Sequence, residues 1–177
     1  MDLDDLIPDV AIDVKDCPRA LMIRELVAAA RQFCVYTKVW EEDVGSITPV
    51  AGITEYQLDL PPGSDLVAVT GDLDAEVMPP DRVIFLESPQ EIVPIRASLQ
   101  PSYGATTLPD VIASQWREAV VSGAIARLLM MNGRPWADPQ LSSYHRDISV
   151  GMARQAVSRK ARIYGATLLR SKQHGRF

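Results

Sequence analysis

An α+β fold, mainly α, is predicted for this chain: a helical bundle of three principal helices with a small antiparallel β insertion and a basic C-terminal tail. Apolar residues near both ends of the sequence recur at three- and four-residue steps, the spacing of one helix face. Residues 44–100 change to short alternating segments punctuated by Gly and Pro, the signature of strands joined by turns. After Asp147 no acid follows, while Arg154, Arg159, Lys160, Arg162, Arg170, Lys172 and Arg176 do. Such one-sided charge marks an interaction tail or a solvated basic helix face. The 177 residues suit one domain, with a helical core over 16–40 and 108–165, the β insertion over 44–100 and the tail over 166–177.

The first element, residues 1–15, has scattered apolar positions around Pro8 and is expected to be an extended or loosely ordered arm packing onto the body. Asp16 is the expected N-cap of the first helix, with Pro18 in its first turn and a stripe of Ile23, Leu26, Val27, Ala30, Phe33, Cys34 and Thr37. Trp40 falls just past its end, where Glu41, Glu42 and Asp43 oppose the negative helix terminus. Strands are expected over 53–58, 66–70 and 82–86, and a weak one over 92–95 that Pro94 would confine to an edge. Residues 96–107 read as a linker. The central helix is expected over 108–131, with Pro109 in the first turn and Asn132-Gly133 as terminator. Its stripe is Ile112, Trp116, Ala119, Val120, Ala124, Leu128 and Met131, thinned at Gly123 so that a neighbour can approach closely. The last helix starts with Asp138 as N-cap and Pro139 at its first position. It buries Leu141, Tyr144, Ile148, Met152 and Gln155/Ala156, and ends near Tyr164, before Gly165.

Composition narrows the chemistry. Hydrophobic residues make up 47% and charged residues 23%, an ordinary globular balance, and the net charge is -5. No apolar run approaches the roughly 20 residues of a membrane helix. The acidic start, Met-Asp-Leu-Asp-Asp-Leu, lacks the basic and apolar regions of a secretory signal, so the chain reads as soluble and intracellular. Cys17 and Cys34 lack metal-ligand spacing and are expected as buried, reduced thiols. The Asp2/Asp4/Asp5 and Glu41/Glu42/Asp43 clusters lack the turn pattern of a calcium loop. His145 is expected on a helix surface, and Trp40, Trp116 and Trp136 in core packing. There is no phosphate loop, dinucleotide fingerprint or nucleophile elbow, so neither an enzyme nor a cofactor is expected. The basic run could meet nucleic-acid phosphates, which keeps a small regulatory DNA-binding protein as the alternative reading; no base-reading motif accompanies it.

The order of features resembles a known family. A helix carrying Arg31-Gln-Phe-Cys-Val-Tyr-Thr-Lys-Val-Trp40, followed by Gly52-Ile-Thr-Glu-Tyr56-Gln-Leu58 and Leu60-Pro61, is similar to the start of head–tail adaptor (connector) proteins of tailed bacteriophages. Leu108-Pro109 opening a helix with Gly123-Ala124-Ile-Ala-Arg127-Leu128, then Pro135-Trp136 and a further helix, resembles their C-terminal half. The resemblance covers most of residues 17–160 and implies a structural virion protein at the neck, made in the host cytoplasm. It implies a homo-oligomeric ring, commonly dodecameric, docked under the portal protein, with tail or nozzle proteins below and genomic DNA passing through without sequence-specific binding. The expected portal-docking residues are Arg159, Arg162, Leu168, Leu169, Arg170, Lys172, Arg176 and Phe177.

Overall fold

A computed structural model describes residues 1–70, 75–87 and 89–173, with side chains described only as far as residue 163. It corrects the predicted three-helix bundle. A 3-10 turn (Leu3–Leu6) leads into α1 (Ile7–Asp13) and α2 (Arg19–Thr37). Six strands follow: β1 (Glu41–Ile47), β2 (Glu55–Gln57), β3 (Ser64–Thr70), β4 (Ala75–Met78), β5 (Arg82–Phe85) and β6 (Val93–Pro101). The chain then returns to helix as α3 (Asp110–Gln115), α4 (Arg117–Leu129) and α5 (Pro139–Gln173). The strands form two three-stranded antiparallel sheets, ordered β1-β6-β3 and β2-β5-β4. This is a mixed α/β fold in which the sheets share the core with the helices.

The N-terminal residues are not a loose arm. Leu3, Leu6, Val10 and Val14 are all buried, and their spacing of three, four and four is a helix face. Pro8 sits in the first turn of α1, where its missing N–H costs no intrahelical bond. Arg117 on α4 fastens this segment, donating to the Asp9 carboxylate at 2.7 and 3.0 Å and to the Asp5 carbonyl at 3.1 Å. Asp16 is not the cap of α2: it has a left-handed φ of 60°, and Pro18 precedes the first helical residue. The expected stripe of α2 is buried from Leu26 to Thr37, with Ile23 half-buried; Met22, Glu25 and Ala29 join it.

The first half of the expected linker over 96–107 is strand. β6 is the central strand of its sheet, and Ala97, Ser98, Leu99 and Gln100 are buried in succession, since α2 covers one face. A strand covered on both faces loses alternation, which is why it read as a linker. Pro94 is tolerated because β3 pairs only from Arg96 onward, so the proline sits where β6 has one neighbour. That neighbour, β1, is bulged between Asp43 and Ser46, with Gly45 at a φ of 94° that favours glycine. The exposed Arg82 and half-buried Ile84 alternate with buried Val83 and Phe85 on β5, where Tyr56 meets Phe85 edge-on at 5.8 Å. Arg31 couples α2 to the sheets: it contacts the Asp65 carboxylate and the Pro101 carbonyl at 2.5 Å and lies 3.7 Å over the Tyr103 ring.

The central helix is broken in two. Trp116 leaves the helical region, at φ -128° and ψ 16°, and separates α3 from α4. Its ring packs on Phe33 at 5.7 Å. Ile112, Trp116, Ala119, Val120, Ala124 and Leu128 are buried as expected from their periodicity, and Met131 is half-buried. α4 ends at Leu129, two residues before the expected boundary, and Gly133 takes a left-handed turn beyond it.

α5 differs in both face and length. Asp138 caps it as expected, accepting from the N–H groups of Gln140 and Leu141 at 3.0 Å each. Tyr144, expected in the core, is 61% exposed, and His145, expected on the surface, is buried. The face that meets α4 runs through Ser142, His145, Ala153 and Ala156, with Ser149 half-buried among them. Ser142 and Ser149 donate to the carbonyls of Ala126 and Ala119 at 2.7 and 2.9 Å. Small hydroxyl residues thus hold two helices close, and a search for large apolar residues picks the wrong face. The backbone stays helical through Gly165 to Gln173.

Candidate functional site

α4 is packed from two sides by α2 and α5. Where a Cβ would stand on Gly123, Ser149 Oγ lies 3.1 Å away and the Ala29 Cβ 3.2 Å away, so both helices close on the bare backbone there. Between α2 and α5, above α4, runs a groove of about 900 Å³. Its floor is apolar or small, from Ala29, Phe33, Gly123, Ala126 and Ala153. It abuts a buried cluster of Phe33, Trp116, Ala119, Ala153 and Ala156. Tyr36, Met130 and Val150 stand exposed at its margin.

Polar groups in the groove divide into paired and unpaired cations. Glu25 is buried in the α2 wall, with its carboxylate 2.8 Å from the Arg24 guanidinium and 2.7 Å from that of Arg127. Arg146 and Arg154 are exposed on the α5 wall, and among the described residues neither makes an ion pair or a side-chain hydrogen bond. Burial pushes the Cys34 thiol up to about 12, with Arg31 opposing weakly, and raises the Cys17 thiol also. Both thiols are free and buried.

The second candidate surface is the far part of α5. Lys160 makes the last anchoring contact described, its ammonium 2.5 Å from the Lys38 carbonyl and 2.6 Å from the Glu41 carboxylate. Three successive residues after it, Ala161, Arg162 and Ile163, are exposed. Successive residues lie about 100° apart around a helix, so these three span about 200° of its circumference. Arg159 and Arg162 are therefore solvent-facing, as a docking role requires. Leu168, Leu169, Arg170 and Lys172 lie on backbone that is helical but outside the described side chains. Arg176 and Phe177 lie outside the described residues altogether.

Other candidates fall differently. His145 is not a surface residue: it is buried, with its Nε2 3.4 Å from the Asp13 carboxylate, and joins α5 to α1. Trp40 and Trp116 are buried, whereas Trp136 is half-buried with the Arg134 guanidinium 5.9 Å from its ring. Among the described residues no group of three or more His, Cys, Asp or Glu is placed to hold a metal ion, and no helix is long and apolar enough to cross a membrane. The groove was missed from sequence. Its signal was a Glu within the α2 apolar stripe, Glu25, and an Arg near the end of the apolar run of α4, Arg127. No family model matches the sequence, and comparison with curated proteins likewise finds no match.

Proposed function

We propose that this chain is a head–tail adaptor of a tailed bacteriophage, assembling as a ring beneath the portal and giving tail proteins a platform. The observation that carries the reading is α5: a 35-residue helix tied to the body at Lys160, in which the next three residues, Ala161, Arg162 and Ile163, are exposed. At about 1.5 Å per residue the backbone beyond Lys160 reaches a further ~20 Å to Gln173. In sequence, the cations Arg159, Arg162, Arg170, Lys172 and Arg176 and the apolar Leu168, Leu169 and Phe177 match an anchor with an apolar footing and a charged rim. The order of sequence motifs supports the same reading. Acidic side chains elsewhere, such as Glu42 and Asp43 on β1, would repel DNA phosphates and let a genome slide past.

Co-sedimentation with portal-containing phage heads tests the proposal. The full chain should pellet with heads, and deletion of residues 166–177 should abolish pelleting while leaving the melting temperature of the isolated protein nearly unchanged. Replacing Arg170, Lys172 and Arg176 together should weaken the association and flatten its salt dependence, because exposed charges are screened over about 8–10 Å near physiological salt. Wild-type occupancy of the truncated chain would remove the anchor role. Electron cryomicroscopy placing the chain in the capsid lattice, or its absence from virions, would overturn the adaptor reading. Steep salt-dependent binding to duplex DNA would favour the regulatory alternative instead.

A further inference from the structure

We propose that the groove between α2 and α5 is a docking site for an acidic amphipathic α-helix of another protein. The inference does not rest on the adaptor reading, which concerns the far end of α5.

Dimensions select a helix. The α5 wall runs from Pro139 to Arg154, 16 residues or about 24 Å at the helical rise, and the α2 wall from Glu25 to Tyr36, about 17 Å. Three to four turns of a guest helix match that span. The floor is made of small and apolar side chains that let a guest backbone sink between the walls, and Tyr36, Met130 and Val150 offer exposed apolar edges to either side of it. This combination suits a helix that lays one apolar stripe into a groove.

Charge selects the sign of the guest. Arg127 is compensated by Glu25, but Arg146 and Arg154 have no carboxylate among the described residues. They stand eight residues apart, about 12 Å along the same helix and about 80° apart around it, and both line the groove. Two carboxylates spaced seven or eight residues apart on a guest helix would meet both, and guanidinium–carboxylate pairing there is directional as well as electrostatic. A nucleic-acid backbone would use the arginines alone. It gains nothing from the apolar floor.

The probe is a fluorescein-labelled synthetic peptide of about 16–18 residues, four to five helical turns, with Leu and Ala on one stripe and Glu flanking it. Fluorescence anisotropy against the full chain should show saturable binding, with a Kd on the order of 10–100 µM for an unoptimised sequence. The exposed double substitution Arg146→Glu with Arg154→Glu should leave the melting curve in place and weaken binding about tenfold or more, about 1.4 kcal/mol. The same peptide with Lys for Glu should prefer the substituted chain. A scrambled peptide of equal composition should bind at least several-fold more weakly. Absence of saturable binding up to about 1 mM, indifference to the charge reversal, or equal binding of the scrambled peptide would each overturn the proposal. So would a short DNA duplex that displaces the peptide and loses affinity on the same reversal, or sedimentation showing that the unliganded chain self-associates through these arginines, since a second copy would then be the occupant.

Discussion

Replacing Gly123 by alanine sets two effects of known size against each other. Alanine is favoured over glycine within a helix by about 0.8–1 kcal/mol, so an uncrowded site would be stabilised. At Gly123 the new methyl would sit 3.1 Å from Ser149 Oγ and 3.2 Å from the Ala29 Cβ. Neither neighbour yields freely. Ser149 Oγ is donated to the Ala119 carbonyl at 2.9 Å, and swinging it away forfeits a bond contributing about 1 kcal/mol. Ala29 has no rotamer to change, so relief requires moving α2, at the 1–3 kcal/mol typical of overpacking. The cost outweighs the gain, and Gly123→Ala should be destabilising by about 1–2 kcal/mol, lowering Tm by roughly 3–6 °C for a chain of this size. Gly151 supplies the control: on α5, with nothing within 4 Å of its added Cβ, Gly151→Ala should raise Tm by about 2 °C. Thermal unfolding followed by circular dichroism reads both. Adding Ser149→Ala to Gly123→Ala should cost less than the two single effects summed, because one clash and one lost bond are shared. If Gly123→Ala stabilises as much as Gly151→Ala, the helices do not close on α4 and the groove floor is misplaced.

Trp116→Ala should cost about 3–5 kcal/mol, because the ring is buried against Phe33 and its loss leaves a void in that cluster; an unchanged Tm would place Trp116 at the surface. Asp138→Ala should cost about 0.5–2 kcal/mol by orphaning the N–H groups of Gln140 and Leu141, with Asp138→Asn retaining most of the cap; equal losses in the two variants would deny it. Cys34 stays protonated in the fold up to about pH 12, whereas its unfolded value is 9.0. Its contribution is fully present below pH 9 and is lost as pH rises toward 12, where the unfolded state has released the proton. Cys34→Ala should therefore flatten the alkaline fall in stability, measured by urea unfolding at pH 8, 9.5 and 11; an unaltered slope would assign that fall to other groups.

Local chemistry was legible where one element decides the outcome. The Asp138 cap and the stripe on α4 could be read from spacing, because each depends on residues within a few turns; Gly123 marked room for a neighbour, but not that Ala29 and Ser149 would fill it. Readings failed where a neighbour from far away in sequence decides. Leu3, Leu6, Val10 and Val14 have helical spacing, but in sequence they look scattered around Pro8, whose first-turn position makes it harmless. β1 was hidden by Glu41, Glu42 and Asp43, which read as a helix stop; the strand exists because Glu41, Glu42 and Asp43 pair with Ser98, Ala97 and Arg96 some 55 residues later. The faces of α5 were exchanged because Ser142 and His145 look polar in sequence and find their partners on α4 and α1. Arg146 and Arg154 carried no signal alone, since a groove is a property of two helices and the floor between them. The charge asymmetry was visible at once, but only packing separates cations that are paired within the body, such as Lys160, from those that face solvent.

Lys160 gives α5 a mechanical character. Its ammonium grips the carbonyl of Lys38, where α2 ends in a left-handed residue, and the carboxylate of Glu41, where β1 begins. The helix is thus pinned at the joint between the helical layer and the β1-β6-β3 sheet. About 33 Å of α5 lies on the body side of this pin and ~20 Å beyond it. One ammonium group thus ties three elements together: the end of α2, the start of β1 and the middle of α5.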